Sequence, residues 1–382
     1  MSINTVTATI DHVEACLRGQ ISSPELFNDA TLILGAPGVG KSSTIKKIGK
    51  DLNYKVYDLR LARMDSTDLG GLPYFDSESG RTIYYLPEFL PTEEDIKDYD
   101  GGIIFLDEIT QAEPRLQSTA LELVLDRTVG SYKVPDNVWV VAAGNRVEDG
   151  TNSYELSSAL LDRFTIYNVT SSAQSWLKWA EVNNIHTAVK TFIKTKPDHL
   201  NGGYSDKLDT DDMILPTERS WEKVSRIMNS ITDNAILKTM IPGVIGASSA
   251  QEFFFVTEEL SQLAPMETYI EKALAKDIKG LKEILPNTMP GLYGLGYSLP
   301  SFCETEEDFV GACGVFNVLG TIDDKLPRSE IVASSMVTLF DIAIQSGEAN
   351  LARKIRRSEA YQQMRKNQYA TFAEIESYKK DQ

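Results

Sequence analysis

Residues 31–44, TLILGAPGVGKSST, constrain the fold more than any other stretch of this 382-residue chain. Apolar, β-prone residues run into a loop with three glycines. The loop gives way at once to Lys41 and to apolar residues at helical spacing, Ile45, Ile48 and Leu52. A strand–glycine loop–helix sequence turns consecutive backbone N–H groups toward one small concavity beside the positive end of the helix. Such a concavity cradles phosphate. Gly35, Ala36, Pro37, Gly38, Val39, Gly40, Lys41 and Ser42 fit G-x-x-x-x-G-K-[ST] without a mismatch, and Ser43 continues the first helical turn. In this pattern Lys41 reaches the β- and γ-phosphates of a nucleotide, and the Ser42 hydroxyl ligates Mg²⁺.

The surrounding sequence predicts the sheet that carries the loop. Between residues 31 and 170 strand-like and helix-like segments alternate, which indicates a parallel sheet with helices on both faces. Five strands are expected: ATLILG, YKVYDLRL, GGIIFLDE, VWVVAAGN and FTIYNV. The unbroken apolar runs 103–106 and 138–143 suit strands covered on both sides. After residue 171 the strand signal stops. Helices are expected from Trp176, through TAVKTFIKT, around Trp221, Val224, Ile227 and Met228, and over 249–263, with a polar connection, PDHLNGGYSDKLDTDDM, between the second and third. The fold expected is thus an α/β P-loop core at 1–170, an all-α lid domain at 171–263 and a mostly helical C-terminal extension at 264–382. LPNTMPGLYGLGYSLPSF reads as an interruption in that extension.

Four further motifs assign chemistry. GGIIFLDEIT ends an apolar strand on two acids, with Asp107 expected in the Mg²⁺ shell and Glu108 as the group that orients or deprotonates the attacking water. This pair selects hydrolysis over phosphoryl transfer to a small acceptor, and no Asn-Lys-x-Asp stretch is present to read guanine. VVAAGN ends on Asn145, a neutral amide able to hold the water or a γ-phosphate oxygen without competing for the metal. In SSALLDRF, Arg163 follows a short apolar segment and precedes the last strand. It is expected to reach the γ-phosphate of a neighbouring subunit as an arginine finger. In LPTERSWEKVSRIM, Arg219 opens a helix of the lid and is expected to project toward the nucleotide, with Arg226 a weaker candidate for the same role.

Composition narrows the setting. The net charge of −17 repels phosphate backbones, which disfavours a broad nucleic-acid grip. The last 33 residues depart from this balance, with eight basic and four acidic side chains. Three cysteines form neither a disulfide framework nor a metal pattern, and free thiols are expected. The start of the chain lacks a signal-peptide pattern and no apolar run is long enough to span a bilayer, so a cytoplasmic protein with no membrane contact is expected.

In their order and spacing these motifs resemble the AAA+ ATPases, within them the MoxR group, and especially its CbbQ-like members. The resemblance is carried by LGAPGVGKSS, DLRLARMDSTDLGGLP, IIFLDEITQAEPRLQSTALELVLDR, VVAAGN, SSALLDRF and PTERSWEKVSRIM, and it covers roughly residues 26–263. It implies a homo-oligomeric, usually hexameric ring with Mg-ATP bound between subunits. It also implies a chaperone-like remodelling task on a protein partner, often through an adaptor with a von Willebrand A domain. Two inserts gain a place from the same resemblance: MDSTDLGGLPYFDSESGRTIYY near the ring's pore, and RTVGSYKVPDNVW as a hairpin before the fourth strand. The alternative is an AAA+ motor or loader acting on nucleic acid, for which the basic C-terminal tail is the sequence support.

Overall fold

The computed structural model describes residues 7–130, 132–149, 154, 156, 161–202, 212–345 and 350–367. Two compact units emerge. The first runs up to Trp176 and includes Thr217–Arg219; the second holds Leu177–Gly202, residues 212–216 and the chain from Ser220 onward.

The first unit is built on a six-stranded sheet in the order β1-β10-β2-β9-β6-β3. Its strands are β1 (Thr7–Thr9), β2 (Thr31–Gly35), β3 (Tyr54–Arg60), β6 (Gly101–Asp107), β9 (Val138–Gly144) and β10 (Thr165–Thr170). Every pairing in it is parallel. Five of the six strands match the expected ones. β1 is additional: the short segment Thr-Ala-Thr is too brief to produce an alternation, and it is recruited by pairing Thr7 with Asn168 on β10.

Residues β2, β6 and β9 are buried along their whole length, as strands covered on both faces must be. Side chains alternate between two cores. Ile33, Ile103, Phe105, Trp139 and Val141 pack with Val13 and Leu17 of helix α1 (Ile10–Ile21) and with Ile45 and Ile48 of helix α2 (Lys41–Asp51). Leu32, Leu34, Ile104, Leu106, Val140 and Ala142 pack on the other face with Leu116, Ala120 and Leu123, whose helix spans Pro114–Leu125. The strand period of two is therefore visible in which core each residue joins.

Two antiparallel hairpins leave this sheet. β4 (Leu72–Asp76) and β5 (Arg81–Tyr85) pair with Leu72 opposite Tyr85, and they expose Leu72, Phe75, Tyr84 and Tyr85. β7 (Thr128–Val129) and β8 (Tyr132–Lys133) form the hairpin expected before β9.

Among its described residues the second unit is built of helices and their connections, with no strand. The Thr187–Thr195, Glu218–Ser230 and Ala247–Ser261 helices meet around Phe192, Trp221 and Phe253, whose ring centroids lie 5.0 to 5.6 Å apart. Trp221 also donates its indole N–H to the carbonyl of His199 at 2.7 Å. The stretch expected as an interruption is instead a helix, Met289–Phe302, with Pro290 in its first turn and the Thr288 hydroxyl accepting from the N–H of Gly291. Its glycines serve packing rather than turning: a Cβ on Gly294 would stand 2.1 Å from Leu260. This helix lies against Thr187–Thr195, where the Lys190 and Lys194 ammonium groups sit 5.2 Å and 5.4 Å from the ring centres of Tyr297 and Tyr293. The second unit holds the extension together with much of the stretch expected as a lid, whose residues 171–176 and 217–219 fall in the first. Among the described residues no helix is long and apolar enough to cross a membrane, and the three cysteines are unpaired.

Candidate nucleotide site

The sheet brings the motif residues together at one edge. β9 lies between β2 and β6, with Gly144 opposite Leu34 and Ala142 opposite Leu106. The carboxyl ends of these three strands carry the glycine loop, Asn145 and Asp107. Open parallel sheets bind ligands at this edge.

Gly38 and Gly40 adopt φ of +93° and +95°, a region that L side chains rarely enter. That conformation delivers the chain directly into α2, with Gly40 as its N-cap. Lys41 is buried, at 8% exposure, and its ammonium donates to Gly35 O at 2.6 Å, Ala36 O at 3.0 Å and Asn145 Oδ1 at 3.0 Å. Burial pushes its pKa down from 10.5 to about 8; the charges of Asp107 and Asp149 oppose the shift, and those of Arg146 and Arg219 add to it. A buried ammonium held by neutral oxygens and near two guanidinium groups is a site for a polyanion. Ser42 donates from Oγ to Asp107 Oδ2 at 2.8 Å. A hydroxyl and a carboxylate so placed are the hard oxygen donors that Mg²⁺ takes alongside phosphate oxygens. The donor set fits Mg-nucleotide, and Ser42 and Asp107 are the side chains that would hold the metal. Ser43 is exposed on the first turn of α2.

Glu108 follows the strand in a left-handed conformation, φ +60° and ψ +30°, which costs a non-glycine residue of order 1 kcal/mol. Its N–H donates to Asp107 Oδ1 at 2.9 Å and its carbonyl accepts from Gln111 N at 2.9 Å. The main chain thus turns sharply off β6 at the residue expected to act on water. Arg219 is exposed on the first turn of its helix and contributes to the potential at Lys41, so the fold brings it to the phosphate loop of its own chain. Arg226, farther along that helix, is 4.0 Å from Glu222. Arg163 behaves differently. It is exposed in the turn before β10, makes no ion pair or hydrogen bond among the described residues, and is not among the charges acting on Lys41. Residues 157–160 of the segment preceding it lie outside the described residues, as do 203–211 of the polar connection and 368–382 of the basic tail.

Three residues at this edge escaped the motif reading. Thr110 accepts from the N–H of Asn145 at 3.0 Å. Arg146 and Asp149 form a partly buried pair, Nη2 to Oδ1 at 2.8 Å, beside Lys41. Their only sequence signal is position, two residues after Glu108 and one and four after Asn145.

Residues 30–166 match the family described as "ATPase family associated with various cellular activities (AAA)". Residues 30–166 form an AAA-type ATPase domain. ATP hydrolysis is the activity of this domain, and the phosphate loop, acid pair and Asn145 all fall inside it. No curated protein matches the chain. A crystal structure of a "putative ATPase" from Cytophaga hutchinsonii is 14% identical, covers 87% of this chain and 90% of that one, and superposes with a TM-score of 0.34. A superposition of that quality bears on neither fold nor function.

The depressed pKa of Lys41 gives the AAA domain a distinct pH signature. In the folded protein this group loses its proton near pH 8, whereas the unfolded chain keeps it to about 10.5. Between those values the unfolded state binds more protons, so this group's contribution makes folding more favourable as pH rises. Phosphate binding has the opposite requirement, because only the ammonium attracts it. ATP affinity is expected to fall above pH 8, by up to about tenfold per pH unit. Calorimetric titration of ATP at pH 7, 8 and 9 reads this; an affinity unchanged at pH 9 would show that Lys41 keeps its ordinary pKa.

Proposed function

We propose that the chain is a MoxR-type, CbbQ-like AAA+ ATPase that assembles as a homo-oligomeric ring, hexameric by its resemblance, and uses Mg-ATP to remodel a protein partner in the cytoplasm. The observation that carries this reading is Arg163. It is an exposed guanidinium without a partner among the described residues, and it is not among the charges that shift Lys41. Arg219 already serves that loop in cis. An exposed arginine at the end of this motif is best explained by a phosphate on the next subunit, where it offsets charge that develops as the γ-phosphoryl bond breaks.

Within one subunit each motif residue takes the role that its chemistry suits. Lys41 holds the β- and γ-phosphates, exchanging its bonds to loop carbonyls for phosphate oxygens. Mg²⁺, held by Ser42 and Asp107, would supply neutralising charge to those oxygens. Glu108 takes the proton of the attacking water, and Asn145 orients that water or a γ-phosphate oxygen. Arg219 reports phosphate charge to the helix it opens.

A protein partner is favoured over nucleic acid by two features. The β4–β5 hairpin exposes Leu72, Phe75 and Tyr85 at 66, 70 and 62%, an apolar face suited to polypeptide. One charge of the basic Leu351–Arg357 helix is neutralised within its own unit, Lys354 by Glu306 at 2.7 Å, and Arg356 is packed over the Phe340 ring. An adaptor with a von Willebrand A domain is the partner that the resemblance suggests. The reading is tested by ATPase rate per subunit against protein concentration, for wild type and Arg163→Ala. The expected result is a rate that climbs with concentration in wild type and stays low in the variant. A concentration-independent rate that the substitution leaves intact would rule out a site shared between subunits.

A further inference from the structure

The residues proposed to act on water, Glu108 and Asn145, directly follow different strands, and nothing in the sheet's ladder fixes one against the other. β9 makes its last pairing to β2 at Gly144, so the N–H of Asn145 has left the ladder. A buried N–H without an acceptor is costly, and the group that accepts it therefore sets where the residue sits. That group is the hydroxyl of Thr110, at 3.0 Å. Thr110 is itself 3% exposed and lies in the 3₁₀ turn Ile109–Gln111 that begins directly after Glu108.

Contacts on every side make this junction tight. A Cβ on Gly144 would stand 2.6 Å from Thr110 Cγ2 and 2.7 Å from its Oγ1, so the turn approaches the end of β9 as closely as glycine permits. The Thr110 carbonyl accepts from Tyr154 N at 2.6 Å. On the far side of Asn145 the next N–H, that of Arg146, donates to Asp149 Oδ2 at 3.0 Å. The same carboxylate receives the Arg146 guanidinium at 2.8 and 3.1 Å. The backbone at Asn145 is thus pinned by side-chain acceptors on both of its flanks, while its amide oxygen takes the Lys41 ammonium.

We propose that Thr110 is a positioning residue for hydrolysis: its hydroxyl, bonded to the backbone of Asn145, fixes the spacing between Glu108 and Asn145. This rests on the reading of those two residues as the water-directed pair. Ser42 and the glycine loop bind nucleotide without passing through Thr110, and Lys41 meets it only through the Asn145 amide, its bonds to Gly35 O and Ala36 O standing apart. Loss of the hydroxyl should therefore appear in kcat and leave KM nearly unchanged.

The test compares Thr110→Val, which keeps the shape and removes the acceptor, with Thr110→Ser, which restores it, and with Glu108→Gln as reference. Steady-state kinetics and calorimetric ATP titration are measured on the full chain. The expected result is kcat about tenfold lower in Thr110→Val, with KM and ATP affinity within about twofold of wild type, and recovery of most of the loss in Thr110→Ser. Should the valine variant fail to fold, Thr110→Cys replaces it, one atom different from serine and a weak acceptor, with kcat expected several-fold below Thr110→Ser. Wild-type kcat in the valine or cysteine variant, or a loss confined to KM, overturns the inference if Glu108→Gln is inactive. An active Glu108→Gln overturns the underlying reading instead.

Discussion

Replacing Glu108 with glutamine is expected to lower ATP turnover by about 10²- to 10⁴-fold while ATP binding is retained. The substitution exchanges a proton acceptor for an amide of the same shape. The backbone should not move, because the left-handed turn at residue 108 is held by main-chain groups, its N–H on Asp107 Oδ1 and its carbonyl on Gln111 N. Lys41 and Ser42 are untouched, so the variant should still bind Mg-ATP and accumulate in the bound form. Phosphate release measured beside calorimetric ATP titration separates the two effects. Turnover within a few-fold of wild type would remove Glu108 from the chemistry, and a parallel loss of binding would mean that it supports the loop instead.

Lys41→Met should do the reverse. Methionine keeps the apolar stem but removes the charge and the donors that now meet Gly35 O, Ala36 O and Asn145 Oδ1. A hydrogen bond to a charged group contributes roughly 1.5–3 kcal/mol, so losing the ammonium from two phosphates should weaken ATP binding about 100-fold or more. Stability without nucleotide should change much less. The depressed pKa shows that burial already disfavours this ammonium at neutral pH, and removing it relieves that cost while leaving two loop carbonyls without its N–H groups. Thermal unfolding with and without ATP distinguishes the outcomes. The variant should melt near wild type alone and show no upward shift with ATP. Retained stabilisation by ATP would assign the phosphate grip to the backbone loop alone.

Much of the core was legible because its signals are local. The buried strands declare themselves as apolar runs, and the phosphate loop is a contiguous string whose residue types are dictated by backbone geometry. Asp107 and Asn145 could be placed because each directly ends such a strand. The misses have physical causes. β1 contributes only Thr7, Ala8 and Thr9, and its strand character comes from β10 rather than from its own composition. The glycine- and proline-bearing stretch 285–302 reads in sequence as an interruption, yet Gly294 is there because Leu260 occupies the space of its Cβ. Thr110 and the Arg146–Asp149 pair matter through contacts across the strand ends, which no spacing along the chain reveals. Arg163 and Arg219 look alike in sequence, each an arginine within a motif. Both are exposed, and only their surroundings separate them: Arg219 is among the charges that shift Lys41 and Arg163 is not.

That difference makes the central claim testable by mixing two inactive proteins. Arg163→Ala keeps Glu108 and lacks the finger; Glu108→Gln keeps the finger and lacks the proton acceptor. Combined at a concentration where wild type is active, they should recover ATP turnover above the sum of the separate proteins, because some interfaces pair an intact Glu108 with an intact Arg163. Turnover no greater than that sum, under conditions where the two variants co-assemble, would contradict a nucleotide site completed by the neighbouring subunit.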